Sequence, residues 1–310
     1  MKLLAILLLL CQTTFAAEKV KLQLNWVPEP EFGGIYEAQR IGAFGKHGLD
    51  VDIAAGGAGT ATWQLVASSK RDFAVASADE VFTARQQGAD VVAIYATYQT
   101  NPQGLMIRAS RGIDNIADIF KQEGTLAVEP GLPYVTFLKN KYGFDKLKVV
   151  SYDGGIAGFL NDEKYAQQCF VTSEPLAAKK AGVEAKFFSV ADAGYNPYTA
   201  VIITRGDYAR SHLDTVKQLV AALQEGWRSY LDDPKGANDA MGKLNPDMDA
   251  ATFAAAADAQ KKLIETDETK KAGLGSMTKE RWQMLGQQLL ELKVIEKAAD
   301  ADACYINIKK

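Results

Sequence analysis

Histidine and cysteine are scarce in this chain, with two and three among 310 residues. His47 and His212 stand far apart, and no cysteine accompanies either. No metal site is therefore expected, because the usual nitrogen and sulfur ligands have no cluster to form. An excess of charge is missing as well: 35 Lys and Arg face 38 Asp and Glu, with no basic tail or patch. That balance argues against nucleic acid as a partner. Beyond the first residues no apolar run is long enough to cross a bilayer, and no internal repeat or low-complexity segment is visible.

The one long apolar stretch is at the start. Lys2 supplies a positive charge, Leu3 to Leu10 are apolar, and Thr14-Phe15-Ala16 offers small residues at the minus-three and minus-one positions. This pattern reads as a secretory signal over residues 1–16, cleaved after Ala16. Cys11 raises the alternative of a lipid-modified cysteine, but Leu10 is bulky where such a cysteine follows a small residue. Export permits a bond between Cys169 and Cys304. Cys169 sits in the apolar run CFVT, which favours two unpaired thiols.

Strand-like and helix-like segments then alternate, predicting an α/β fold with parallel sheets. Strands are expected at 19–26, 49–54, 72–76 and 91–98, with a helix at 33–44 and glycine-rich turns between. After Asn101-Pro102 the pattern restarts, with strands at 105–108, 125–128, 148–152, 169–172 and 187–190. A strand at 200–204 returns to the first sheet, and the chain is helical from Asp214 onward. The layout gives residues 17–102 and 199–310 to one lobe and 103–198 to an inserted lobe. Two crossings, near Gln99 to Pro102 and Gly194 to Tyr198, imply a hinge beside a cleft. Ligands of open α/β sheets bind beyond the carboxyl ends of strands, so the turns there are the candidates.

After the first strand come Asn25, Trp26, Glu29, Glu31, Phe32 and Tyr36, in a turn stiffened by Pro28 and Pro30. An indole offers a flat face to a heteroaromatic ring, and a carboxylate accepts from ring amino groups. The plain alternative is a core Trp26 beside a solvated turn. Gly57 and Thr60 belong to a glycine loop whose N–H groups can hold an anion or a carbonyl, or simply cap a helix. Ser77 and Asp79 follow the third strand, where capping alone would explain them. Tyr95 lies near the end of the fourth strand. Glu129, Tyr152, Asp153 and Glu174 follow strands of the inserted lobe, and Tyr195 and Tyr198 lie in the second crossing.

The stretch LNWVPEPEFGGIYEA resembles the Trp-x-Pro and Gly-x-Tyr-x-Ala pattern of the NMT1/THI5-like solute-binding proteins, relatives of the alkanesulfonate binders. RDFAVASADEVFTARQQGADVVAI is similar to the same family's third strand, helix and fourth strand. The resemblance covers nearly all of the chain after the leader. It implies the type II periplasmic-binding-protein fold, two lobes with a hinge and interlobe cleft, and a pyrimidine precursor of thiamine as ligand. It also implies a periplasmic location, permease and ATPase subunits of an ABC importer as partners, and a monomer with no cofactor.

Family members often have His where Phe32 stands and Asn where Glu29 stands. In the family's enzyme branch a histidine and a lysine-bound pyridoxal phosphate supply the chemistry. Those two positions are Glu80 and Ala76 here, and Tyr195-Asn196-Pro197-Tyr198 replaces a cysteine-rich run. Without that lysine no Schiff base forms there, so the chain is not expected to be an enzyme. Three ligands remain open: a thiamine pyrimidine, a riboflavin-like ring, and an alkanesulfonate-type anion. The last lacks an Arg in the strand-end loops to pair with it.

Overall fold

The computed structural model describes residues 16–308. The expected leader, including Cys11, lies outside the described residues except for its last position, Ala16. Among the described residues ten strands form two five-stranded sheets. The first contains β1 (Glu18–Gln23), β2 (Leu49–Ala54), β3 (Phe73–Ala76) and β4 (Val91–Tyr98). The second contains β5 (Gln103–Arg108), β6 (Gly124–Val128), β7 (Leu147–Ser151), β8 (Tyr165–Phe170) and β9 (Ala185–Ser189). The chain then returns to the first sheet as β10 (Thr199–Arg205). Strand orders are β2-β1-β3-β10-β4 and β7-β6-β8-β5-β9.

Both sheets are mixed, which corrects the expectation of parallel sheets. β10 runs antiparallel to β3 and β4, and β5 antiparallel to β8 and β9. The cause lies in the crossings. β4 and β9 end at the hinge, whereas β5 and β10 start there and must run back the other way. Local propensity is blind to this direction, because a buried strand reads the same either way.

Element boundaries moved where polar residues masked a strand. The run expected at 169–172 is β8, four residues earlier, and its Gln167 is buried with Nε2 donating to the Gly155 carbonyl at 3.0 Å. The helix expected at 33–44 stops at Arg40, and Gly42 takes φ +73 to start a short turn, Ala43–Lys46. β1 ends at Gln23, so Trp26 sits in the turn rather than in the strand.

The helix Gly33–Arg40 lies directly on the long helix Leu213–Asp232. A Cβ on Gly226 would stand 2.2 Å from the Gly34 carbonyl oxygen, so glycine is what permits this approach. Glu37 is buried in the same contact. Burial would raise its pKa, but bonds from Arg40 and from the Ser229 hydroxyl (2.6 Å) outweigh that and hold it below the usual range. Cys169 and Cys304 are buried free thiols in separate clusters. Among the described residues no helix is long and apolar enough to cross a membrane.

Candidate functional site

The turn after β1 alternates. Pro28 and Pro30 are buried, while Glu29 and Glu31, each following a proline, remain partly open to solvent. Two buried amides from the helical tail hold the proline carbonyls. Asn245 Nδ2 donates to Pro28 O at 3.1 Å, and Gln260 Nε2 donates to Pro30 O at 2.7 Å. Gln260 Oε1 in turn accepts from the Tyr98 hydroxyl at 2.6 Å, at the end of β4. The turn is thus fixed from behind, and the carboxyl groups of Glu29 and Glu31 are close enough to Glu174 of the inserted lobe to feel its charge.

The inserted lobe supplies the facing side. The Tyr152 hydroxyl donates to Glu174 Oε1 at 2.5 Å, and the Phe170 N–H donates to Glu174 Oε2 at 2.8 Å. The helix Ala250–Ile264 packs against both the 3-10 turn Pro30–Phe32 and the helix Glu174–Lys180, which brings Glu29 and Glu31 near Glu174. Lys180 Nζ meets Asp249 Oδ2 at 2.5 Å across the same mouth.

All three glutamates are shifted upward. Glu29 is raised to about 7, first by burial and then by the charge of Glu174, with Trp26 pulling the other way. Burial also raises Glu31, reinforced by Glu29 and Glu174. Glu174 is raised by burial, although Tyr152 and two backbone groups oppose it. Among the described residues none of the three has an ion-pair partner. Solvent still reaches them while protein encloses them on most sides, as expected of groups in a cleft. A carboxylate cluster of this kind favours an amino-bearing or cationic guest and opposes an anion.

Of the expected site residues, Trp26, Glu29, Tyr152 and Glu174 come together. Trp26 is 39% exposed and so keeps a free ring face. Asn25 is adjacent, with a buried Oδ1 that has no hydrogen-bond partner among the described residues. Glu129 and Asp153 are exposed at the rim, where Glu129 N donates to Gln168 Oε1 and Asp153 Oδ1 accepts from Gly155 N at 3.0 Å.

Others are placed elsewhere. Phe32 and Tyr95 are enclosed in the core, and Tyr36 is nearly so, its hydroxyl raised to about 12 by burial. Tyr195 and Tyr198 are buried at the second crossing. None of these rings has the open face that stacking requires. Gly57 N donates to Thr60 Oγ1 at 2.9 Å, Thr60 N to Gly57 O at 3.0 Å, and Gly56 N to Trp26 O at 2.9 Å. These N–H groups are therefore not free to hold an anion, and the helix begins only at Thr62.

Ser77 caps its helix in a box with Glu80, whose Oε2 accepts from Ser77 N at 2.8 Å. Asp79 bonds the Ser77 hydroxyl and accepts from the Tyr195 hydroxyl at 3.1 Å. Glu31 was visible in sequence as the second outward position of the proline turn. Gln260 and Asn245 were not, since nothing in a helical pattern distinguishes an amide that supports a distant turn. One surface cavity of about 540 Å³ is lined by Val128, Pro130 and Ser151 beside β6 and β7, and another of about 370 Å³ lies beside the helix Lys279–Glu291.

Residues 29–237 match the family model described as NMT1/THI5 like. The formylaminopyrimidine-binding protein of Halalkalibacterium halodurans is 25% identical over 91% of this chain and 89% of that one. The 4-amino-5-hydroxymethyl-2-methylpyrimidine phosphate synthase of Legionella pneumophila is 22% identical over 93% and 91%. Among solved structures, the periplasmic aliphatic sulphonate binding protein SsuA of Escherichia coli superposes with a TM-score of 0.70, covering 94% of this chain and 95% of that one at 13% identity. The two-lobed architecture is that of the periplasmic binding proteins.

Proposed function

Because the chain belongs to the NMT1/THI5-like family, we propose that it is the extracytoplasmic receptor of an ABC importer and takes a flat, amino-bearing nitrogen heterocycle, a pyrimidine precursor of thiamine. The observation that carries this reading is the meeting of Glu29, Glu31 and Glu174 from both lobes, with no ion-pair partner among the described residues, beside the open indole of Trp26. Amino groups on the ring edge donate to the carboxylates, the indole covers one ring face, and Tyr152 holds Glu174 in place. The relative named for formylaminopyrimidine supports the same ligand class. An alkanesulfonate would bring negative charge to three carboxylates, which disfavours it despite the shared fold.

The relative named as a synthase raises the enzymatic alternative. Position 76 is an alanine buried in β3, and Glu80 is engaged in the cap of the next helix. Neither side chain can form a covalent link to an aldehyde cofactor. Binding without turnover is the reading these residues support.

Titration calorimetry with an aminopyrimidine, riboflavin and an alkanesulfonate tests the proposal. Saturable binding of the aminopyrimidine at one site per chain is expected, with little heat from the sulfonate. Binding of the sulfonate alone would overturn it.

A further inference from the structure

The two crossings are bound to the lobes at points only a few residues apart, and those points locate where the molecule bends. In the first crossing, the N–H groups of Gln99 and Thr100 both donate to Leu263 O of the first lobe, at 2.8 and 3.1 Å. Pro102 O instead accepts from Val171 N of the inserted lobe at 3.0 Å. Attachment changes lobe between Thr100 and Pro102. In the second crossing the attachments of the two lobes interleave around Gly194, since Tyr195 N still donates to Val190 O of the inserted lobe at 3.0 Å. Ala193 O accepts from Lys141 Nζ of the inserted lobe at 2.5 Å, and Gly194 O from Gln288 Nε2 of the first lobe at 2.8 Å. Gly194 holds φ +107, a conformation that residues with a Cβ rarely adopt. Asn101 N donates to Asn196 Oδ1 at 2.8 Å, so the crossings are also tied to each other.

One side chain reaches both. Arg281, in the helix Lys279–Glu291, lies with its guanidinium 3.8 Å from the centre of the Tyr198 ring. Its Nη2 donates to Asn196 O at 2.9 Å and its Nη1 to Gln99 O. The N–H of Thr278, which caps the same helix, donates to the Tyr198 hydroxyl at 2.8 Å. A planar fork is suited to bridging two carbonyls while stacking on a ring, and an ammonium does this less well.

We propose that Arg281 is the positioning residue of the hinge: it clasps the two crossings at their first-lobe ends, so that the inserted lobe swings as one body about Thr100–Asn101 and Gly194. The inference rests on reading the cleft as a capture site but not on which solute it takes.

Spin labels at Leu244→Cys in the first lobe and Val149→Cys in the second, both exposed positions, report the interlobe distance by pulsed electron resonance. In the ligand-free protein, Arg281→Met should broaden the distance distribution and Arg281→Lys should recover part of the width. Gln288→Ala, which frees Gly194 from the first lobe without touching the core, should broaden it less. With an aminopyrimidine bound, Arg281→Met should release it on the order of tenfold faster, the effect of losing one charge-assisted bond. Wild-type distance distributions in folded Arg281→Met and Gln288→Ala would overturn the clasp. If Arg281→Met does not fold, a wild-type distribution in Gln288→Ala alone overturns it. If the aminopyrimidine fails to bind at all, the ligand-free distances still decide the hinge, and only the reading of the cleft is lost.

Discussion

The hinge and the cleft are both built from polar side chains withdrawn from bulk water, but they are finished differently. At the hinge most donors meet acceptors: Asn101 Oδ1 accepts from Gln103 N at 3.0 Å and from Thr199 Oγ1 at 3.2 Å, and Arg281 is spread over two carbonyls and a ring, with only its Nε left unpaired among the described residues. In the cleft three carboxyl groups gather, of which Glu174 accepts from the Tyr152 hydroxyl and the Phe170 N–H, and among the described residues none of them has a countercharge. A satisfied network stabilises one arrangement of the chain. An uncompensated one leaves interaction free energy available to a guest, at a cost to the empty protein. The contrast separates residues that shape the receptor from residues that serve its ligand.

Breaking the satisfied side should have the largest effect. Asn101→Ala leaves the Gln103 N–H and the Thr199 hydroxyl without their acceptor in a site that is 1% exposed. We expect a loss of about 2–3 kcal/mol in denaturant unfolding, the cost of stranding buried polar groups. A midpoint equal to wild type would show that the hinge network carries no stability.

Removing a cleft residue should act on binding instead. Trp26→Ala should weaken an aminopyrimidine roughly 30-fold, from about 1 kcal/mol of stacking and about 1 kcal/mol of lost apolar contact. Its unfolding midpoint should barely move, because the indole is partly exposed already. Calorimetry paired with unfolding checks both halves. Loss of fold with retained affinity would reverse the assignment.

Neutralising a carboxylate goes a step further, since it should improve the empty protein. Glu31→Gln removes like charge facing Glu29 and Glu174. At pH 7.5 this should raise stability by up to about 1 kcal/mol, the size of a solvent-screened charge pair, while weakening the amino-bearing ligand. Destabilisation would mean that Glu31 is a structural acceptor.

A further effect is in the pH profile. Glu29 ionises near 4.5 in the unfolded chain and at about 7 in the folded protein. Between those values the folded state holds a proton that the unfolded state has released. The contribution of Glu29 to stability is therefore full below about pH 4.5 and is lost as pH rises through 7. Unfolding between pH 5 and 7.5 should show a negative slope that Glu29→Gln reduces. A slope unchanged in that variant would place the proton on another group.

Much of the architecture was legible before any coordinates. Alternating strand and helix signals, a restart after Asn101-Pro102 and a helical tail describe two lobes because hydrophobic periodicity is a local property of the chain. The proline turn is local too: Pro28 and Pro30 take the buried positions and leave Glu29 and Glu31 partly open, so two of the three acidic groups of the site are written in four consecutive residues. The antiparallel entry of β5 and β10 and the burial of Tyr195 and Tyr198 were decided by tertiary structure alone. So was the union of Glu174 with two glutamates more than 140 positions away. Strand direction depends on where the chain enters a sheet, and a tyrosine presents the same residue to the eye whether it lines a cleft or lies beneath an arginine. Gln260, Asn245 and Arg281 reach back from the helical tail to the proline turn and the crossings. Only folding brings such distant residues within a hydrogen bond, and no pattern in the sequence around them records the contact.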